Sequence, residues 1–159
     1  MVNKLSINAD IKKAETLPSE FYRSEELFQK SKESIFLRSW QWIGNLVNMV
    51  PLTGSAHPAI LMEKFLDEPI AIVRDKEDTL HCLSNVCTHR GNIVVQSPGK
   101  LRQITCMYHG RRFHLDGTFH SMPEFNEADN FPRPCDNLTK FSIKNWKNHL
   151  FVSPDPSFD

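Results

Sequence analysis

The chain has 159 residues, of which 40% are hydrophobic and 24% charged, and its 19 Lys and Arg balance 19 Asp and Glu to a formal net charge of zero. That length suits one domain with a hydrophobic core, and the composition excludes a disordered chain or a coiled coil. Neutrality argues against nucleic acid or an anionic membrane as partner, no apolar run is long enough to span a bilayer, and the N-terminus lacks the apolar core of a secretory signal; a cytoplasmic protein is expected.

The polar segment to about Thr16 is expected to be loosely ordered. Leu17-Pro18-Ser19-Glu20 then reads as a turn into a helix from Ser24 to Arg38. Ser24 is its N-cap, Glu25 and Glu26 suit the positive end of the helix dipole, and Leu27, Phe28, Ser31 and Ile35 fall at helical spacing. Trp40 and Trp42 alternate with polar positions, as at the entry to a strand; these two and Phe36 are expected in the core.

From Pro51 short β-rich runs follow, over Ala59–Phe65, Ile70–Arg74, Leu80–Val86, Leu101–Cys106 and Leu150–Val152. Breakers separate them, among them Glu68-Pro69, Ser97-Pro98-Gly99 and Asp116-Gly117, the last a hairpin signal. Asn126–Thr139 holds Pro132 and Pro134 without periodicity and is predicted as a surface loop. The pattern predicts a mainly β, small antiparallel structure carrying one N-terminal helix.

Four Cys and seven His stand out. Without an export signal the Cys are not a disulfide framework, so metal is the reading to test. Cys87-Thr88-His89-Arg90-Gly91 and Cys106-Met107-Tyr108-His109-Gly110 form C-x-H, 16 intervening residues, then C-x-x-H. Each half offers one thiolate and one imidazole beside a glycine that lets the backbone turn tightly, so two such loops can present two sulfurs and two nitrogens to one site. A zinc-stabilised binding module is one reading, although structural zinc sites commonly pair Cys with Cys and His with His. The Cys-then-His alternation in each loop fits a Rieske [2Fe–2S] centre, with two thiolates on one iron and two imidazoles on the other. Cys82 is expected to be a small core residue and Cys135 an exposed one.

At Cys87, His89-Arg90-Gly91, Cys106 and Tyr108-His109-Gly110 the chain resembles Rieske domains. The likeness extends to Leu17-Pro18, Phe21-Tyr22, Ser24–Phe28, Ser39-Trp40, Glu68-Pro69-Ile70, Asn85-Val86-Cys87 and Trp146–Val152, where it is similar to the N-terminal part of ring-hydroxylating oxygenase α subunits. The resemblance implies a Rieske-type antiparallel β sandwich with a cluster-binding subdomain and an N-terminal helix. It implies a leader over residues 1–45 and a Rieske domain over 46–155, with ligands Cys87, His89, Cys106 and His109 and loop support from Arg90, Gly91, Tyr108, Gly110 and Arg111. The implied partners are a reductase or ferredoxin as electron donor and the catalytic domain of a neighbouring subunit in a homotrimer, with a mononuclear Fe(II) only in a catalytic domain that this chain does not contain. A stand-alone Rieske-type ferredoxin is the other reading. The equivalents of two disulfide-forming Cys of respiratory Rieske proteins are Asn92 and Tyr108, which points to the oxygenase-like class. Arg111-Arg112 stands where the family usually has Trp after His-Gly, and would be either a cation acting on the cluster or a partner, or an ordinary surface pair.

Overall fold

The run Ile70-Ala71-Ile72-Val73 is apolar without a break because its strand is buried on both faces. In the computed structural model, which describes residues 6–125 and 127–158, Ile70 and Ile72 enter one core with Leu61, Cys82, Leu150 and Val152. Ala71 and Val73 point the other way, into a second core with Leu83, Cys87, Val95, Ile104, Cys106, Phe113 and Leu138. One strand thus joins the two halves of the molecule.

The elements in chain order are α1 (Ser19–Arg23), α2 (Glu25–Ser31), a π-helical turn (Lys32–Phe36), β1 (Gln41–Asn45), α3 (Leu46–Met49), β2 (Ser55–Leu61), β3 (Glu68–Arg74), β4 (Leu80–Ser84), β5 (Gly99–Lys100), β6 (Ile104–Thr105), β7 (Arg112–Phe113), β8 (Phe119–Ser121), β9 (Lys140–Trp146) and β10 (His149–Ser153). A seven-stranded sheet has the order β1-β10-β9-β4-β3-β2-β5, and a three-stranded sheet the order β6-β7-β8. All pairings are antiparallel. The fold is the mainly β, antiparallel arrangement expected, and no helix among the described residues is long and apolar enough to cross a membrane.

The N-terminal helix starts where its cap predicts: the Ser24 side chain accepts from the Leu27 amide at 3.3 Å. It is preceded by the separate turn α1, and beyond Ser31 it widens into a π-helical turn that ends at Phe36, short of Arg38. The helical region packs on the domain through Phe28 and Phe36, whose rings meet Phe65 edge-on at 5.1 and 4.8 Å. The amide of Asp155 and the hydroxyl of Ser153 both donate to the Leu37 carbonyl, tying it to the end of β10. Residues 6–16 hold only turns and coil; the predicted loose order of residues 1–5 lies outside the described residues.

Other expectations need correction. The run predicted over Ala59–Phe65 is the strand Ser55–Leu61, because Met62, Lys64 and Asp67 take positive φ and turn the chain into β3. Of Leu101–Cys106 only Ile104–Thr105 is strand. The predicted loop contains a 3-10 turn at Pro134–Asp136 and buries Asp136 and Leu138, so it is more than a surface connection. Trp42 is 61% exposed and Phe36 37%, so neither is a core residue: β1 turns the Trp42 side chain outward, and Phe36 only caps Phe65. The hairpin at Asp116-Gly117 joins β7 to β8 as predicted, with Gly117 donating to the His114 carbonyl.

Candidate metal centre

Two loops of the same construction sit side by side on the second core. In the first, the Cys87 amide donates to the Asn92 carbonyl at 2.8 Å and the Gly91 amide to the Cys87 carbonyl at 3.0 Å. In the second, the Cys106 amide donates to the Arg111 carbonyl at 2.8 Å and the Gly110 amide to the Cys106 carbonyl at 3.0 Å. Each closes through a left-handed glycine, Gly91 at φ +71 and Gly110 at φ +73, a conformation that a side chain would strain. The first loop leaves β4 through buried Asn85, whose side chain donates to the Val95 carbonyl and accepts from the Val95 amide at 2.8 and 2.7 Å. The second is the connection between β6 and β7, held by the pairs Ile104↔Phe113 and Thr105↔Arg112.

This construction brings the four predicted donors together in two pairs. The sulfurs of Cys87 and Cys106 are buried within hydrogen-bonding reach of one another. The rings of His89 and His109, half-buried, meet edge to face at 4.8 Å. Among the described residues no three His, Cys, Asp or Glu side chains gather as one metal ion requires; the donors group two and two. Two thiols side by side and two imidazoles side by side fit a centre of two metal ions better than tetrahedral zinc.

Burial pushes the Cys87 thiol above its ordinary pKa, and its contact with Cys106 adds to the effect, against the amide of His89. Burial opposes ionisation of Cys106 too, but the amides of Tyr108 and His109, the Cys87 thiol and the Asn92 side chain outweigh it and hold that thiol below the ordinary range. Desolvation first, then the positive charges possible at His109, Arg90 and Arg111, lower the pKa of His89 and favour the neutral, metal-binding imidazole.

The support residues divide. Tyr108, 59% exposed, stacks its ring on His109 at 3.8 Å, and only its backbone amide reaches a sulfur. Arg90 is exposed. Arg111 is buried and ion-paired to Asp136 whereas Arg112 is exposed, so the two are not an ordinary surface pair. Two contacts were not anticipated from sequence. Asn92 Nδ2 donates across the loops to Cys106 Sγ at 3.7 Å, and Thr88 Oγ1 donates to the Asp136 carbonyl at 2.8 Å. Local spacing carries no signal for either. Cys82 is buried and Cys135 exposed, as expected. A cleft of about 370 Å³ lies among Asp75, Lys76, Arg102, His114 and Asp116, and none of the four donors lines it.

A small antiparallel β domain that offers paired thiols and paired imidazoles from twin loops defines the iron–sulfur class of electron-transfer domains. The model of the Rieske [2Fe-2S] domain matches residues 49–132. The chain belongs to the Rieske [2Fe-2S] domain family, whose cofactor is that cluster. It is similar to the carnitine monooxygenase oxygenase subunit of Acinetobacter baumannii, 30% identical over 149 residues that cover 93% of this chain and 38% of that protein. The glycine betaine monooxygenase oxygenase subunit of Chromohalobacter salexigens is 33% identical over 139 residues, covering 87% and 30%. A quaternary ammonium Rieske monooxygenase described for carnitine oxidation and inter-subunit electron transfer superposes with TM-score 0.79 at 27% identity, over 91% of this chain and 38% of that one. Naphthalene 1,2-dioxygenase shares the fold, with TM-score 0.73 at 24% identity over 85% of this chain and 30% of that one. The chain thus spans about two fifths or less of the length of these relatives.

Proposed function

We propose that Cys87 and Cys106 hold one iron of a Rieske [2Fe–2S] cluster and His89 and His109 the other, and that the chain is the electron-transfer part of a terminal oxygenase acting on a quaternary ammonium compound. The single observation that carries the ligand assignment is the pair of matched loops, which places sulfur by sulfur and imidazole by imidazole. When bound, the cluster supplies one-electron redox chemistry at a potential set by nearby hydrogen bonds and charges. The chain's own residues orient and protect it. Buried Cys87 and Cys106 keep water from the sulfur side, Asn92 donates to one sulfur, and Tyr108 holds the plane of His109. The half-exposed His89 and His109 form the edge through which electrons enter and leave.

The relatives named above support the substrate class. The reading includes a reductase or ferredoxin as donor and, as acceptor, the catalytic domain of a neighbouring subunit in a homotrimer, for which the inter-subunit electron transfer described for one structural relative is support. The leader supports the oxygenase reading over a stand-alone carrier, since it is hydrogen-bonded to the end of β10 and packed on Phe65. Two thiols offered to metal and two more, Cys82 and Cys135, outside any disulfide suit a reducing compartment such as the cytoplasm. The test is the purified chain's metal content with its visible and EPR spectra before and after dithionite. About two irons per chain and a red-brown colour that bleaches on reduction are expected. A colourless protein with one zinc would overturn the assignment.

A further inference from the structure

Behind the ligand loops lies a charge arrangement that holding four donors does not by itself require. Arg111, directly after the second loop, is 3% exposed. Its Nη2 donates to Asp136 Oδ1 at 2.6 Å, and its guanidinium lies 5.1, 5.5 and 5.8 Å from the ring centres of Phe119, Phe131 and Phe113. Its Nε–H is buried without an acceptor among the described residues. A cation so far out of water is costly unless compensated.

Asp136 does not cancel that charge alone. Its carboxylate also accepts from the Arg133 amide at 2.7 Å and lies 3.6 Å from the Arg133 guanidinium, so one carboxylate serves two cations. Arg133 is largely exposed, so the buried charge behind the loops is that of Arg111, facing a carboxylate it shares with a surface cation. The same pair is also a mechanical tie. Thr88, between the two donors of the first loop, donates to the Asp136 carbonyl, and Arg111 accepts the Cys106 amide of the second.

We propose that Arg111 is a positioning and tuning residue of the centre: paired with Asp136, it locks the two ligand loops together and supplies buried positive charge that favours the reduced cluster. The inference rests on the reading that these loops hold a Rieske cluster. Reduction by dithionite delivers one electron and so one negative charge, which a fixed cation stabilises.

The experiment is a mediated reductive titration of the cluster-loaded chain and its R111Q, R111K and D136N variants, followed by visible absorption and EPR. R111Q is expected to lower the equilibrium constant for one-electron reduction about tenfold, or about 59 mV. D136N frees two cations from their carboxylate and is expected to raise that constant by a similar factor. R111K keeps the charge and should stay near the parent. Opposite signs identify a charge role, because loosened packing would move both variants the same way. Shifts of one sign, or unchanged potentials at full cluster content, overturn the proposal. Should R111Q fail to hold a cluster, D136N and R111K decide it: a raised constant beside an unchanged one supports it, and any other pair overturns it. A parent chain with no cluster absorbance would instead overturn the underlying ligand assignment.

Discussion

The two faces of β3 are equally buried but serve different ends. Behind Ile70 and Ile72 the core is built from aliphatic and sulfur side chains of β2, β4 and β10, and side-chain packing holds it together. Behind Ala71 and Val73 the smaller side chains leave room for Phe113, Leu115 and both cysteine loops. That half is tied by polar contacts, from Asn85 to Val95, Thr88 to Asp136 and Arg111 to Asp136. Apolar packing tolerates small displacements, whereas metal donors must be held within fractions of an ångström. The molecule therefore separates a stabilising side from a positioning side, and each should fail in its own way.

The largest separation should come from the donors. Cys87→Ser or His109→Ala is expected to abolish the cluster's visible absorption, while the far-ultraviolet circular dichroism of the β scaffold is retained. Loss of both signals together would show that the scaffold depends on the metal. Next come the two faces themselves. Ile72→Ala should cost roughly 2–5 kcal/mol in urea unfolding, with the spectrum of the folded protein unchanged. Leu83→Ala, which opens the core that Cys87 and Cys106 share, should cost a similar amount and also broaden the EPR signal. Equal spectral behaviour of the two variants would dissolve the distinction.

A weaker contrast concerns Asp116, in the turn between β7 and β8. Burial opposes its ionisation, but the Thr118 hydroxyl and amide and the Lys140 ammonium hold its pKa down at about 2. A depressed folded pKa means that the stabilisation is complete above the unfolded value near 3.8 and vanishes as pH falls through about 2. Asp116→Asn should therefore destabilise by about 1 kcal/mol at neutral pH, after discounting for solvent screening. That difference should disappear near pH 2 in a denaturant titration.

What was legible in the sequence was local. The twin loops that carry Cys87, His89, Cys106 and His109, with Gly91 and Gly110 closing them, the Ser24 cap and the Asp116-Gly117 hairpin each depend on residues a few positions apart, where spacing and backbone preference act directly. The unread parts depend on contacts made only by folding. Asp136 meets Arg111 across 25 residues, and Asn92 meets Cys106 across 14. Strand β9 went unpredicted because its exposed and half-buried residues, such as Ser142, Lys144 and Asn145, do not read as a β-rich run. Trp42 misled for the opposite reason, being a strand aromatic whose face of the sheet is open.

The two cysteines outside the loops set the finest form of the comparison. Cys82 lies on β4 beside Ile70 and Ile72, on the stabilising side, 1% exposed. Burial, with a small addition from Glu68, pushes its thiol from the ordinary 9.0 up to about 12. Cys135 stands exposed in the 3-10 turn beside Asp136, on the positioning side. A thiol reacts as its thiolate and only where a reagent can reach it, so a maleimide at pH 7 should label one cysteine per folded, cluster-loaded chain, and peptide mapping should find it at Cys135. Cys135→Ser should remove that label with less than about 0.5 kcal/mol of change in stability, as expected of a surface position. Cys82 should become reactive only at the rate of global unfolding. The neutral Cys82 thiol supports the fold fully below pH 9, and its contribution should fade as pH rises from 9 toward 12, because the raised pKa belongs to the folded state. Labelling of Cys82 well below that pH, at a rate faster than unfolding, would mean that the core behind β3 opens locally and that the two sides are less distinct than their packing implies.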